Sequence, residues 1–76
     1  MSDTLIQLTD IFRRQFRDPD LILKMNTSAK DIPRWDSFAQ ISLILAIEEH
    51  FNMKLSTHKV MEMQNIGEMV NYIDER

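Results

Sequence analysis

The chain has no cysteine and a single glycine among its 76 residues. Without cysteine there is no disulfide framework and no thiolate metal site, so a reducing compartment is permitted. One glycine cannot build a glycine-rich phosphate loop. No apolar run is long enough to span a membrane, because charge interrupts every hydrophobic stretch. Met1-Ser2-Asp3-Thr4 has neither the basic cluster nor the apolar segment of a signal peptide, and a cytoplasmic location is expected. A net charge of −3 argues against nucleic acid as a partner, since that surface calls for a basic face. Histidine is scarce as well. His50 and His58 with their neighbouring glutamates do not make the His-Glu-x-x-His spacing of a zinc helix. Residues for hydrolytic or redox chemistry are equally few, so an enzyme is not expected. No alternating strand pattern occurs.

What is present is helical periodicity over one small domain, residues 1–76, with an apolar share of 43%. Leu5, Leu8, Phe12 and Phe16 follow steps of three and four, with Ile11 beside them, and predict a first helix from about Asp3 to Arg17. Asp3 or Ser2 would cap it and Asp18-Pro19 would end it. Its Arg13, Arg14 and Arg17, with Asp10, read as a solvated face. Residues 18–36 form a long connection, in which Asp18 would cap and Pro19 open a short turn. Leu21, Leu23, Met25 and Ile32 are spaced to pin that connection across a bundle. The second helix, about Ser37 to Phe51, is apolar around most of its circumference, and Ile41 and Leu45 are expected to face outward. Ser56 or Thr57 would cap a short helix holding Val60, Met61 and Met63. Asn65 would cap a last one, about Ile66 to Glu75, with Ile66, Met69, Val70 and Ile73 inside. The fold class is all-α: a four-helix bundle of three main helices and one short helix, with the long loop between helices one and two.

Asp36-Ser37-Phe38 stands where that loop becomes the second helix. Free backbone N–H groups and the positive end of the helix dipole there favour a phosphate. Two local readings remain open. Ser37 and Gln40 have the spacing of a capping box; alternatively Asp36 is the cap and the Ser37 hydroxyl is left free. A catalytic serine is disfavoured, because His50 lies at the far end of the same helix, roughly 20 Å away. Glu48-Glu49 is either a solvated face or an acidic spot that docks a basic partner. The six methionines serve as core filler or as a yielding lining for a flexible ligand.

Three stretches now bear on one another: Asp31-Ile32-Pro33-Arg34-Trp35-Asp36-Ser37-Phe38, then Ile44-Leu45-Ala46-Ile47-Glu48-Glu49-His50-Phe51, then Asn65-Ile66-Gly67-Glu68-Met69-Val70. From about Leu5 to Ile73 the chain resembles the acyl carrier proteins, which carry thioesters on a 4′-phosphopantetheine arm. The resemblance implies a four-helix bundle and a carrier role. Ser37 would be the attachment point, esterified by a phosphopantetheinyl transferase using coenzyme A, with Asp36 recognised by that transferase. It implies a monomer that presents an acyl or related group to a loading ligase and to downstream transferases or synthases. These partners would dock on helix two through Gln40, Ile41, Leu45 and Glu48.

Two departures from the family pattern stand out. Phe38 replaces the usual leucine and is expected to pack inward. Ala39 and Ser42 occupy expected outward positions where fatty-acid carriers often have acids. The Trp-Asp-Ser version of the site looks more like stand-alone carriers of specialised pathways for polyketide-like units, modified lipids or surface polysaccharides. An aminoacyl carrier of the D-alanyl type and an unmodified helical interaction module are the alternatives.

Overall fold

The computed structural model describes residues 3–75. Its helices are α1 (Asp3–Phe16), α2 (Ser37–Phe51), α3 (Thr57–Glu62) and α4 (Ile66–Asp74), with one 3-10 turn, Ala29–Asp31, in the first loop. The bundle is all-helical, and α1 packs along α2 and α4. Leu8, Ile11, Phe12 and Phe16 of α1 meet Leu43, Ile44, Ile47 and Phe51 of α2 and Ile66, Met69, Val70 and Ile73 of α4 in one buried core. Steps of three and four along each helix put these side chains on one face, and removing that face from water drives the assembly. Leu5 is only half-buried at the edge of the core.

Both long helices that open the bundle end by the same device. Arg17, at φ 52°, and Asn52, at φ 51°, take the left-handed conformation. The next amide then reaches back to a carbonyl of the last turn: Asp18 N–H donates to Arg13 O at 3.0 Å, and Met53 N–H to Glu48 O at 3.1 Å. This arrangement satisfies carbonyls that a helix end otherwise leaves open. It stops α1 at Phe16, one residue before the expected Arg17. Ser2, the alternative cap of α1, lies outside the described residues; Asp3 is in the first turn.

The first loop is pinned at both ends. Arg13 Nε donates to Leu21 O at 2.7 Å, and Arg34 Nη1 donates to Phe16 O at 3.0 Å. Arg13 is therefore a loop anchor as well as a helix-face charge, whereas Arg14 pairs with Asp10 at the surface. Leu23 and Ile32 are buried as expected, and Leu21 packs half-buried against the core. Met25 is not an apolar anchor; its side chain is exposed. Its backbone does the pinning instead. Gly67 N–H donates to Met25 O at 2.7 Å, and Ile66 N–H donates to Thr27 O at 2.8 Å. The loop thus supplies acceptors to the first amides of α4, which no intrahelical carbonyl can reach. The approach is close: a Cβ on Gly67 would sit 2.9 Å from Met25 O.

The short helices start as the spacing predicts. Ser56 Oγ accepts from Lys59 N–H, and Asn65 Oδ1 accepts from Glu68 N–H at 3.0 Å. α3 ends at Glu62, so Met63 falls just outside it, and Val60 is its one buried side chain.

Candidate functional site

The approach to α2 is a series of tight turns. Trp35 N–H donates to Ile32 O at 3.0 Å, and Asp36 N–H to Arg34 O at 3.0 Å. Pro33 suits this segment, because its ring presets a turn φ. The Trp35 ring stacks edge-on to Phe12, 5.2 Å between centroids, and its Nε1–H donates to Gln40 Oε1. One indole therefore ties the loop to α1 by packing and to α2 by a hydrogen bond.

Asp36 is extended, with φ −109° and ψ −170°, and its Oδ1 accepts from Ala39 N–H at 2.9 Å. Its carbonyl accepts from Gln40 N–H at 2.9 Å. Asp36 is thus the cap, and Ser37 is the first helical residue. The capping-box alternative for Ser37 and Gln40 is set aside, since Gln40 is turned to Trp35. Ser37 is exposed, and no hydrogen bond among the described residues engages its hydroxyl. Backbone N–H groups of the first helical turn project toward the same solvent-facing end, where the helix dipole is positive. The place suits an anionic ester on Oγ. It does not suit a hydrolytic triad: His50 lies at the other end of α2, its Nε2 paired with Gln7 Oε1 at 2.7 Å. His58 pairs with Glu62 at 3.0 Å on the exposed face of α3.

Trp35 and Gln40 also border a groove of about 450 Å³, whose lining combines Val60, Met61, Met63 and Met69 with polar residues of the first loop and of the α3–α4 connection. Three methionines therefore line a space between α3, α4 and the end of the first loop. A larger groove, about 940 Å³, runs between the end of α1 and the loop, and its lining excludes Trp35 and Gln40; Ser37 lines neither groove.

The residues named for docking differ in their surroundings. Ile41 and Leu45 are exposed, at 55% and 60%. Gln40 is half-buried against Trp35. Glu48 is half-buried too, and its Oε2 accepts from Leu55 N–H at 2.7 Å, bracing the turn after α2. Two expectations are corrected. Phe38 does not pack inward; it is 83% exposed. At 100° per residue it falls in line with Ser42, Leu45 and Glu49, on the side opposite buried Ile47, a placement the helical period contains. Ala39 is not on the outer surface; it lies half-buried against the core, whereas Ser42 is exposed. The Trp35–Gln40 bond and the clamp on Gly67 leave no periodic trace in the sequence.

Ser37 thus presents an exposed hydroxyl at the start of α2, with His50 at the opposite end of the same helix. Comparisons with known proteins identify the family. Residues 34–73 match the family model of the phosphopantetheine attachment site. The chain is 30% identical over 67 residues to an acyl carrier protein of Clostridium acetobutylicum, covering 88% of this chain and 87% of that protein. It superposes with a TM-score of 0.89 on the solution structure of a holo acyl carrier protein from Geobacter metallireducens. That match has 35% identity and covers 97% of this chain and 85% of the other. The chain belongs to the acyl carrier protein family. It is a carrier and not an enzyme, and its prosthetic group is phosphopantetheine. The residues present fit that group, since an exposed serine hydroxyl, with no hydrogen bond among the described residues, lies within the matched segment at a capped helix start.

Proposed function

We propose that Ser37 is the residue that bears the phosphopantetheine arm, and that this chain serves as an acyl carrier in a specialised lipid, polyketide-like or surface-polysaccharide pathway. The observation that carries the attachment reading is the division of labour at the start of α2. Asp36 takes the capping bond to Ala39 N–H, which leaves the exposed Ser37 hydroxyl with no hydrogen-bond partner among the described residues. In the transfer, a bond forms between Ser37 Oγ and the phosphate nearest the pantetheine in coenzyme A. The pyrophosphate bond breaks, the adenosine-side phosphate departs, and the hydroxyl proton passes to a base of the transferase. Once bound, the arm supplies a thiol that holds an acyl group as a thioester. Asp36 gives the transferase a carboxylate next to the reacting serine.

The pathway reading rests on charge. From Ser37 to Ile47, α2 has no ionisable side chain, and Glu48 is occupied at Leu55. Glu49 is the remaining exposed acid of α2. A surface so poor in acids suits dedicated enzymes better than partners that select an acidic helix. We place those enzymes on α2 around Ile41 and Leu45, with Gln40 and Glu48 shaping the adjoining surface. Their expected classes are an acyl-loading ligase and downstream transferases or synthases, in the cytoplasm.

The deciding experiment is intact mass after incubation with coenzyme A and a broad-specificity phosphopantetheinyl transferase. Wild type should gain one arm and Ser37→Ala none; an unmodified wild type, or a modified Ser37→Ala, would remove the attachment reading. Mass spectrometry of the carrier loaded in its native host would then identify the cargo.

A further inference from the structure

Basic residues crowd into one stretch of this acidic chain. Residues 13–34 hold six of the nine Lys and Arg but only three of the twelve Asp and Glu, which makes the end of α1 and the first loop +3 in a chain of −3. The groove of about 940 Å³ opens in that region. Phe16 and Ile32 are buried along it and Leu21 is half-buried, an apolar floor, whereas Arg17, Lys24 and Arg34 are exposed at its edge.

Those cations are not neutralised by partners of their own. The side chains of Arg17 and Lys24 enter no hydrogen bond or ion pair among the described residues, where the ion pairs are Arg14–Asp10 and His58–Glu62. Arg34 gives Nη1 to Phe16 O at 3.0 Å and keeps the rest of its guanidinium. The two acids of the lining are engaged instead by backbone. Asp18 Oδ1 accepts from Asp20 N–H at 3.1 Å, and Asp31 Oδ2 from Ser28 N–H at 3.0 Å. An apolar floor edged by unpaired cations fits a ligand with a short hydrocarbon body and an anionic end, and a guanidinium suits a carboxylate or a phosphate there. The methionine-lined groove, by contrast, offers a single cation, Lys30.

The occupant follows from reach. Arg34 stands three residues before Ser37, so their backbones are at most about 11 Å apart. Its bond to Phe16 O holds the end of α1 beside that approach. An arm on Ser37, with two amide units between its phosphate and its thiol, is longer than this when extended.

We propose that this groove seats the far end of the cargo on the protein's own arm, and that the cargo class is an acyl group ending in an anion. Its carbon chain lies on Phe16, Leu21 and Ile32, and its anion is met by Arg17, Lys24 and Arg34. This rests on Ser37 as the attachment point, and the test separates the two claims. Arm transfer from succinyl- or butyryl-coenzyme A by a broad-specificity phosphopantetheinyl transferase delivers arm and cargo together, through the same bond exchange at phosphorus. The two cargoes have the same number of carbons and differ at the far end, carboxylate against methyl. Amide hydrogen exchange is then compared between the two loaded forms, in wild type and in the double variant Arg17→Gln, Lys24→Gln. Both substituted side chains are exposed and without partners, so the variant should keep the wild-type helical circular dichroism.

In wild type, amides of residues 17–34 should exchange at least about threefold more slowly with succinyl than with butyryl cargo, because an occupied groove suppresses opening of the loop. The double variant should lose that difference. Raising ionic strength from about 0.05 to 0.5 M should shrink it in wild type, since the attraction is between partly exposed charges. Equal exchange in the two loaded forms overturns the proposal. So does succinyl protection confined to residues 60–69, around the other groove, or protection that survives intact in the double variant. A wild type that accepts neither arm fails the Ser37 reading and this proposal with it, and intact mass shows that before any exchange is measured.

Discussion

The starts of α2 and α4 are built from the same local parts and put to opposite uses. Each has a short polar residue in extended conformation as its cap: Asp36 accepts from Ala39 N–H at 2.9 Å, and Asn65 from Glu68 N–H at 3.0 Å. At α4 the first two amides are then covered by the loop carbonyls of Thr27 and Met25, and Ile66 and Gly67 are buried. At α2 the loop turns away, and Asp36, Ser37 and Phe38 all face solvent. The difference teaches that a helix N-terminus is neutral as to role. Its donors hold the fold together where a carbonyl from elsewhere in the chain meets them, and they are available to an outside anion where none does.

The contrast can be broken most forcefully at Ser37. Ser37→Ala should abolish arm transfer while leaving stability within about 0.5 kcal/mol, the usual range for a surface change away from any cap; chemical denaturation alongside intact mass reads both. If that substitution cost as much as a lost cap, Ser37 would share the structural role that Asp36 fills here. Gly67→Ala is the mirror case. A new Cβ 2.9 Å from Met25 O must push the loop off α4, and overpacking of this kind costs about 1–3 kcal/mol. The gain in helix propensity, about 1 kcal/mol, offsets part of that. A net loss with Ser37 still modified is expected, and a more stable Gly67→Ala would show that the clamp yields easily.

Cap removal sharpens the comparison further. Asn65→Ala and Asp36→Ala should each cost about 1 kcal/mol in denaturant unfolding, but only Asp36→Ala should also slow arm transfer. Asp36→Asn separates the two roles, retaining the cap while removing the charge. Trp35→Phe should act on stability alone and leave arm transfer intact. It keeps the ring packed on Phe12 but loses the bond to Gln40, for about 0.5–1.5 kcal/mol. Amide exchange across residues 33–40 would register the loosened approach to α2, and exchange unchanged there would make the indole bond incidental.

Most of the fold could be read along the chain, because its signals are local. The apolar steps from Leu8 to Phe16 and from Ile66 to Ile73, and the caps at Ser56 and Asn65, act within a few residues. The boundaries matched to within a residue or two for the same reason. Local pattern and structure part where a side chain has more than one neighbour to choose from. Gln40 was compatible with a capping box until Trp35 took it. Met25 looked like an apolar anchor although its carbonyl, not its side chain, holds α4. Phe38 is apolar enough to suggest an inward place, while the helical period sets it on the outer line with Leu45.

The sequence by itself determined a small all-helical bundle and its resemblance to a carrier family, since helical periodicity and the stretch around Asp36-Ser37 are written in consecutive residues. Only the tertiary structure decided which helix start stays open. Satisfying a backbone N–H requires a carbonyl from a distant part of the chain, and no local spacing says where the first loop will lay its own. By meeting α4 with Met25 and Thr27, the loop closes that helix start, and the start of α2, with Ser37, is left exposed.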